Sequence, residues 1–424
     1  MGGVRGGESI LPLALPAIVS NITVPLLGLV DTAIVGHMGA AEYIGAVSVG
    51  SMICTSIYWL FNFFRMGTSG LTSQEYGAGG ETTTILRNSL LIAFAIGIAI
   101  LVLFKPIEIL SLFLMSPSAE VKPLVCNYFR ICVIGAPAVL MQYSLTGWFI
   151  GMQDTKRPMV IAIIQNIFNI LASLAFVYLF GMKVEGVALG TMLSQWFALL
   201  LGLWLYRRTK VTGLKVRNYE VKSFLKRFLS LNADIFLRPL CLMSVFFFFT
   251  SAGSKQGTEV LAVNALLMQT WLLFSYFMDG FANAGEALAG KYYGARDHAM
   301  LMLSVRRVFV WGGAVAAIFT LAYAFLLNPF LSLLTDNRHI VAAAQPYHFW
   351  IACFPLLAFA AFLWDGVFIG LTKSRAMLMG CLAGSMAFFT AFYTLFPYYG
   401  NHALWFAFLL FLLLRAAVQS VLFF

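Results

Sequence analysis

Apolar residues fall in twelve long runs, and Lys, Arg, Asp and Glu collect in the short stretches between them. Each run is near the ~20 residues that carry a helix across a bilayer, so the pattern predicts twelve membrane-spanning helices. The predicted spans are 10–38, 43–76, 84–114, 118–150, 158–180 and 184–207, then 228–253, 258–293, 298–329, 338–370, 373–396 and 403–424. Several are longer than a perpendicular helix needs, which implies tilt or extension beyond the bilayer.

The pattern repeats. Gly77-Ala78 recurs as Gly294-Ala295 at an offset of 217 residues, and Glu42 falls on Glu259 at the same offset. Gly147-Trp148-Phe149-Ile150-Gly151 matches Gly366-Val367-Phe368-Ile369-Gly370 at an offset of 219, and Pro137 matches Pro355 at 218. Two six-helix bundles, 1–207 and 228–424, account for all of these, joined by a basic linker over 208–227. Six is even, so both copies enter the membrane from one side. They are then parallel repeats related by a pseudo-two-fold axis along the membrane normal, the geometry of alternating access. Val221, Phe224, Leu225 and Phe228 recur at helical spacing, which lays the end of the linker along the inner leaflet.

Composition agrees with an all-α polytopic membrane protein: 61% of residues are hydrophobic, 10% are charged, and the mean hydropathy is +0.88. A net charge of +10 would suit a nucleic-acid partner, but its distribution argues against one. Loops on one side hold 18 Lys and Arg, those on the other hold 4, and 5 lie inside spans. That asymmetry predicts an inner (cytoplasmic) membrane protein with both termini cytoplasmic. The first helix is too long for a cleavable signal and stays as a span. All six cysteines lie in apolar runs without CxxC spacing, so neither disulfide, metal nor cofactor is expected.

Candidate chemistry starts at Asp31, the only ionisable residue between Glu8 and His37. A carboxylate there costs at least ~2.5 kcal/mol, which points to a cavity or a partner and to a function. Pro16 and Pro25 share its helix, and each removes a backbone hydrogen bond and favours a bend. On helix five, Asn166, Asn169 and Ser173 share one face, and Thr191 opens helix six. Counting rise along each helix puts all of these in the outer half of the bilayer, where they can line one polar cavity. Ordinary interhelical hydrogen bonding explains the neutral residues equally well. In the second copy, Asp279 and Glu286 share a face of helix eight and Asp365 lies on helix ten. They make a second polar site or pair with Arg65, Arg130 or Arg238. Asp234 and Arg238, at i and i+4, are expected to form an ion pair. Met and aromatic content suits an adaptable cavity and lipid contact equally.

The run Leu29-Val30-Asp31-Thr32-Ala33-Ile34-Val35-Gly36-His37, the segment Gly147 to Thr155, Asn166-x-x-Asn169 and the duplicated plan resemble the multidrug and toxic compound extrusion (MATE) transporters. Phe64-Arg65-Met66-Gly67, Asp279 to Glu286 and Trp364-Asp365-Gly366 resemble its DinF-like branch. The resemblance implies two bundles around a cleft and cation-coupled export of amphipathic, often cationic small molecules. It matches Asp31 to the family's ion-linked acid, Pro16 to its bend, and Asn169 and Thr191 to partners of the acid. Sodium-binding members carry a second acid on helix five where this chain has Ser173, which favours the proton as coupling ion over Na+. Small molecules and the bilayer are the expected partners, and a monomer the expected state. Two rivals fit less well. An intramembrane enzyme wants a buried base beside a nucleophile or paired acids, yet four of five His lie at span ends. A lipid-linked-saccharide flippase wants several basic residues in its cavity, whereas these sites read as mainly acidic.

Overall fold

The computed structural model describes residues 10–36, 41–115, 117–209, 221–335 and 337–424; the side chains of 24–27, 29, 32, 41 and 221–236 lie outside the description. Every regular element among the described residues is helical. In chain order these are α1 (Leu11–Gly36), α2 (Ala41–Leu60), α3 (Phe63–Gly77), α4 (Thr83–Val102), α5 (Phe104–Met115), α6 (Lys122–Cys132), α7 (Ala136–Gly151) and α8 (Lys156–Leu174). There follow α9 (Val184–Arg207), α10 (Val221–Lys255), α11 (Thr258–Gly294), α12 (His298–Leu334), α13 (Arg338–Ala343), α14 (His348–Gly370), α15 (Ser374–Tyr399) and α16 (Asn401–Phe423). Among the described residues 11 helical segments are long and apolar enough to cross a membrane, and the shorter apolar stretch Leu11–Thr23 lies in α1.

More helices than spans arise because some spans are broken, and mostly at prolines. The third span divides at Leu103, where Pro106 in the first turn of α5 has no N–H to continue the ladder of α4. The fourth passes through a 3₁₀ turn, Val133–Gly135, before α7 restarts with Pro137 in its first turn. The tenth does the same at Gln345–Tyr347, with Pro346 in the turn. The second divides without a proline: Phe61 and Asn62 make i to i−3 bonds to Tyr58 and Trp59, both 3.0 Å. Caps fix other starts. The Asp297 carboxylate accepts from the Met300 N–H (2.9 Å) ahead of α12, and Asn337 accepts from His339 (3.1 Å) and Ile340 (3.4 Å) ahead of α13.

Backbone packing separates a first unit, Leu15–Arg227, from a second, Phe228–Phe424, which also takes the residues up to Ala14. In the first, α7 packs on α3 and α4, α8 packs on α9, and α6 lies against α2 and α9. Its apolar core gathers Leu86, Leu145, Trp148, Phe149, Ile161 and Ala198, with the Trp148 indole donating to the Thr82 carbonyl at 3.1 Å. In the second, α14 touches α11, α12 and α16, and α15 packs along α16. Asn264 and Asn401 exchange amide hydrogen bonds of 2.8 and 2.9 Å, and the Trp405 indole donates to Asn264 at 3.0 Å.

The sequence repeat returns here as one repeated contact. On α7, Gly147 lies against the Arg65 carbonyl and Gly151 against Ser69, where an added β-carbon would sit 2.9 Å from the Ser69 oxygen. On α14, Gly366 lies against the Ala282 carbonyl and Gly370 against Glu286 and Gly290, with 2.8 Å to the Gly290 nitrogen. Each Gly-x-x-x-Gly pair thus lets two backbones close to a distance that any side chain would prevent.

Candidate functional site

In the first unit α8 and α9 bring the predicted polar residues together. The Asn169 side chain is fully buried and its Nδ2 donates to Thr191 Oγ1 (3.2 Å) and Ser194 Oγ (3.3 Å). Thr191 in turn donates to the Val187 carbonyl at 3.0 Å, and Ser194 to the Thr191 carbonyl at 2.7 Å. Ser173 sits one turn beyond Asn169, also buried, where Gly190 of α9 allows the close approach: a β-carbon there would lie 2.8 Å from the Ser173 nitrogen. Asn166 is placed differently. Its amide donates to the Thr23 carbonyl at 3.0 Å and so fastens α8 to α1.

Asp31, on α1, is buried at 8% exposure. Its Oδ1 has no hydrogen-bond partner among the described residues, and the same holds for Asn169 Oδ1 and Ser173 Oγ. Three buried oxygens thus hold unused acceptor capacity inside one unit, where a missing partner is expensive. Tyr128 and Cys132 of α6 lie within electrostatic range of Asp31. Sequence reading missed Tyr128. It is 2% exposed, and Gly50 of α2 leaves room for its ring, since a β-carbon there would lie 2.9 Å from Cγ. Nothing in the fourth run distinguishes this tyrosine from one anchoring a helix end.

α1 is continuous through Pro16 and Pro25; Pro16 is buried, and the side chain of Pro25 lies outside the described residues. Another buried acid of the first unit, Glu108 on α5, is fully engaged. Arg130 grips it with two bonds, 2.8 and 3.0 Å, and Lys105 adds a third at 2.7 Å. Arg130 is therefore not a partner for the second-unit acids.

In the second unit the structure pairs Asp365 with Arg238, one of the arginines the sequence offered. Arg238 of α10 and Arg415 of α16 both donate from Nη2 to its Oδ2, while Gln419 Nε2 donates to Oδ1 at 2.9 Å. Asp365, Arg238 and Arg415 are 6%, 7% and 4% exposed, so this is a buried node with more guanidinium than carboxylate. Arg415, which the sequence reading placed only inside a span, is the residue that makes it basic. Asp279 is exposed on α11 within electrostatic range of Arg415, and Glu286, further along α11, is buried. The expected pair of Asp234 with Arg238 involves a side chain outside the described residues. No group of three or more His, Cys, Asp or Glu that could hold a metal occurs among the described residues.

Comparison with known proteins follows this geometry. The MatE family model matches residues 16–175 and 235–392. The DNA damage-inducible protein F of Escherichia coli (strain K12) is 37% identical over 95% of this chain and 89% of its own length. A probable multidrug resistance protein NorM of Acinetobacter baylyi is 24% identical over 76% of this chain and 72% of its own. Among solved structures, one described as MATE in the bent conformation superposes with a TM-score of 0.88 at 20% identity, covering 97% of this chain and 93% of the other.

Proposed function

The chain belongs to the MatE family of multi-pass membrane transporters, in its DinF-like branch, and on that premise we propose that it exports amphipathic, often cationic compounds in exchange for protons by alternating access. The observation that carries the proposal is Asp31: a buried intramembrane carboxylate with an unpartnered oxygen and Tyr128 within electrostatic range, in the unit that also holds the buried Asn169-Thr191-Ser194 hydrogen bonds. Glu108, a structural acid of the same unit, is clamped by Arg130, whereas Asp31 keeps an oxygen unpartnered.

A proton needs only this one carboxylate. Exchanged one for one against a monovalent cation, it moves no net charge, so the ~2.3 kcal/mol per 100 mV of membrane potential cancels. The pH difference then drives export at ~1.36 kcal/mol per unit. Loading of Asp31 from outside bends α1 at Pro16 or Pro25 and expels the substrate. The protein works in the inner membrane as a monomer with both termini cytoplasmic. Sodium is the second reading, and the orphaned Asn169 Oδ1 and Ser173 Oγ favour it, since hard cations take neutral oxygens beside a carboxylate. Dye transport in proteoliposomes, with pH and sodium gradients imposed separately, tests the assignment. The account expects transport to follow pH and ignore sodium; the reverse dependence would refute it.

A further inference from the structure

The geometry points to a recognition site in the second unit for a carboxylate on the transported molecule, built from Arg238 and Arg415 with Asp365 as its internal occupant. This rests on the reading of the chain as an exporter and adds a substrate class to it: amphipaths that are zwitterionic or anionic.

The argument is one of donors and acceptors. A guanidinium carries five N–H groups in a rigid fork, and its strongest partner is a carboxylate gripped by two parallel bonds. Neither arginine makes that arrangement. Both Nη2 groups converge on the single oxygen Asp365 Oδ2, and Gln419 holds Oδ1. Arg238 Nε and Arg415 Nε are buried and have no acceptor among the described residues. Glu108 shows what a completed clamp looks like in this same chain: Arg130 spends both Nε and Nη2 on the two oxygens. The Asp365 node is therefore half-filled. Two forks share one carboxylate, with open donors on each, more than nine-tenths buried where water supplies little.

Three helices position these groups. Arg238 comes from α10, Asp365 from α14 and Arg415 with Gln419 from α16, so the node is fixed by packing rather than by a loop. Asp279 acts on Arg415 from an exposed position on α11 and does not fill the buried Nε donors. A carboxylate arriving on a substrate competes with Asp365 for the forks, which gives the Asp365 substitution an unusual sign. Removing its charge should strengthen binding of the substrate acid, because the internal competitor is gone, whereas a purely structural salt bridge has nothing to release.

The test uses two probes with one skeleton, norfloxacin, which carries a carboxylate, and norfloxacin methyl ester, which does not. Equilibrium binding to the purified full-length protein should favour the acid by at least ~10-fold, a difference of ~1.4 kcal/mol. Arg238→Gln and Arg415→Gln should collapse the acid-to-ester affinity ratio to about one. Asp365→Asn should raise the affinity for the acid ~3-fold or more and raise the acid-to-ester ratio with it. Should the arginine variants fail to fold, the wild-type acid-to-ester ratio and Asp365→Asn still decide. Equal binding of acid and ester by wild type, or a folded Asp365→Asn that gains nothing for the acid, would overturn the proposal. Proton-driven transport of the ester reports on antiport alone, so a failure there with the acid preference intact would count against the antiport reading and not against this one.

Discussion

At the scale of single residues, three of the four acids buried among the described residues have three different environments, and the proposed roles follow from them. Glu108 is saturated by Arg130 and Lys105, Asp365 is shared by two arginines, and Asp31 keeps an open oxygen. Asp31→Asn should therefore abolish efflux, at least ~100-fold in transport rate, with insertion and folding intact, because Asn keeps the shape and cannot titrate. Full transport by the purified variant would make Asp31 structural. Tyr128→Phe removes the hydroxyl near Asp31 and leaves the acid in place, so it should slow transport by ~10-fold or less, near the ~0.5–1.5 kcal/mol of one polar contact. Dye-efflux rates of the two variants side by side check the ranking. Asp31 was legible in the sequence because a lone acid in an apolar run stands out. Arg415 and Tyr128 were not: the first meets Asp365 only through packing of α16 on α14, and the second is shaped by the absence of a side chain at Gly50.

Between elements, the informative residues are glycines. The Gly-x-x-x-Gly repeat is visible in the sequence, and the structure shows what it does in each unit, with α7 seated on α3 and α14 on α11. A methyl group at Gly147 or Gly366 meets a backbone carbonyl, of Arg65 or Ala282, and neither can rotate away. Gly147→Ala and Gly366→Ala should each cost about 1–3 kcal/mol, read as a lowered thermal midpoint of the detergent-solubilised protein. Gly28→Ala, where nothing lies within 4 Å of an added β-carbon, is the matched control and should be near neutral. Equal destabilisation by all three would mean that close backbone approach is not the cause. The apolar runs fall on helices among the described residues, but the breaks at Leu103 and Gly135 were not legible, because a proline near a span's middle signals either a kink or a restart, and only neighbouring helices decide which.

For the molecule as a whole, the proposed orientation rests on the duplicated plan and on the charge asymmetry of the loops. A single cysteine at Lys215, in a variant lacking the native cysteines, should be labelled by an impermeant maleimide only from the cytoplasmic side. Labelling from outside would invert the topology, and with it the direction of proton entry. The two-bundle plan could be read before the structure because it follows from the repeat in the sequence. The basic character of the second unit's node could not, since it depends on residues from three helices meeting.

Proton coupling at Asp31 is the central claim, and substrate-induced proton release tests it most directly. If substrate and proton compete through this carboxylate, binding a cationic substrate to the purified protein, in weakly buffered solution at a pH low enough to keep the free carboxyl protonated, must release about one proton for each molecule bound. The account predicts that release for wild type and none for Asp31→Asn, which should still bind. Substrate bound by wild type with no proton released, or release undiminished in Asp31→Asn, would contradict it.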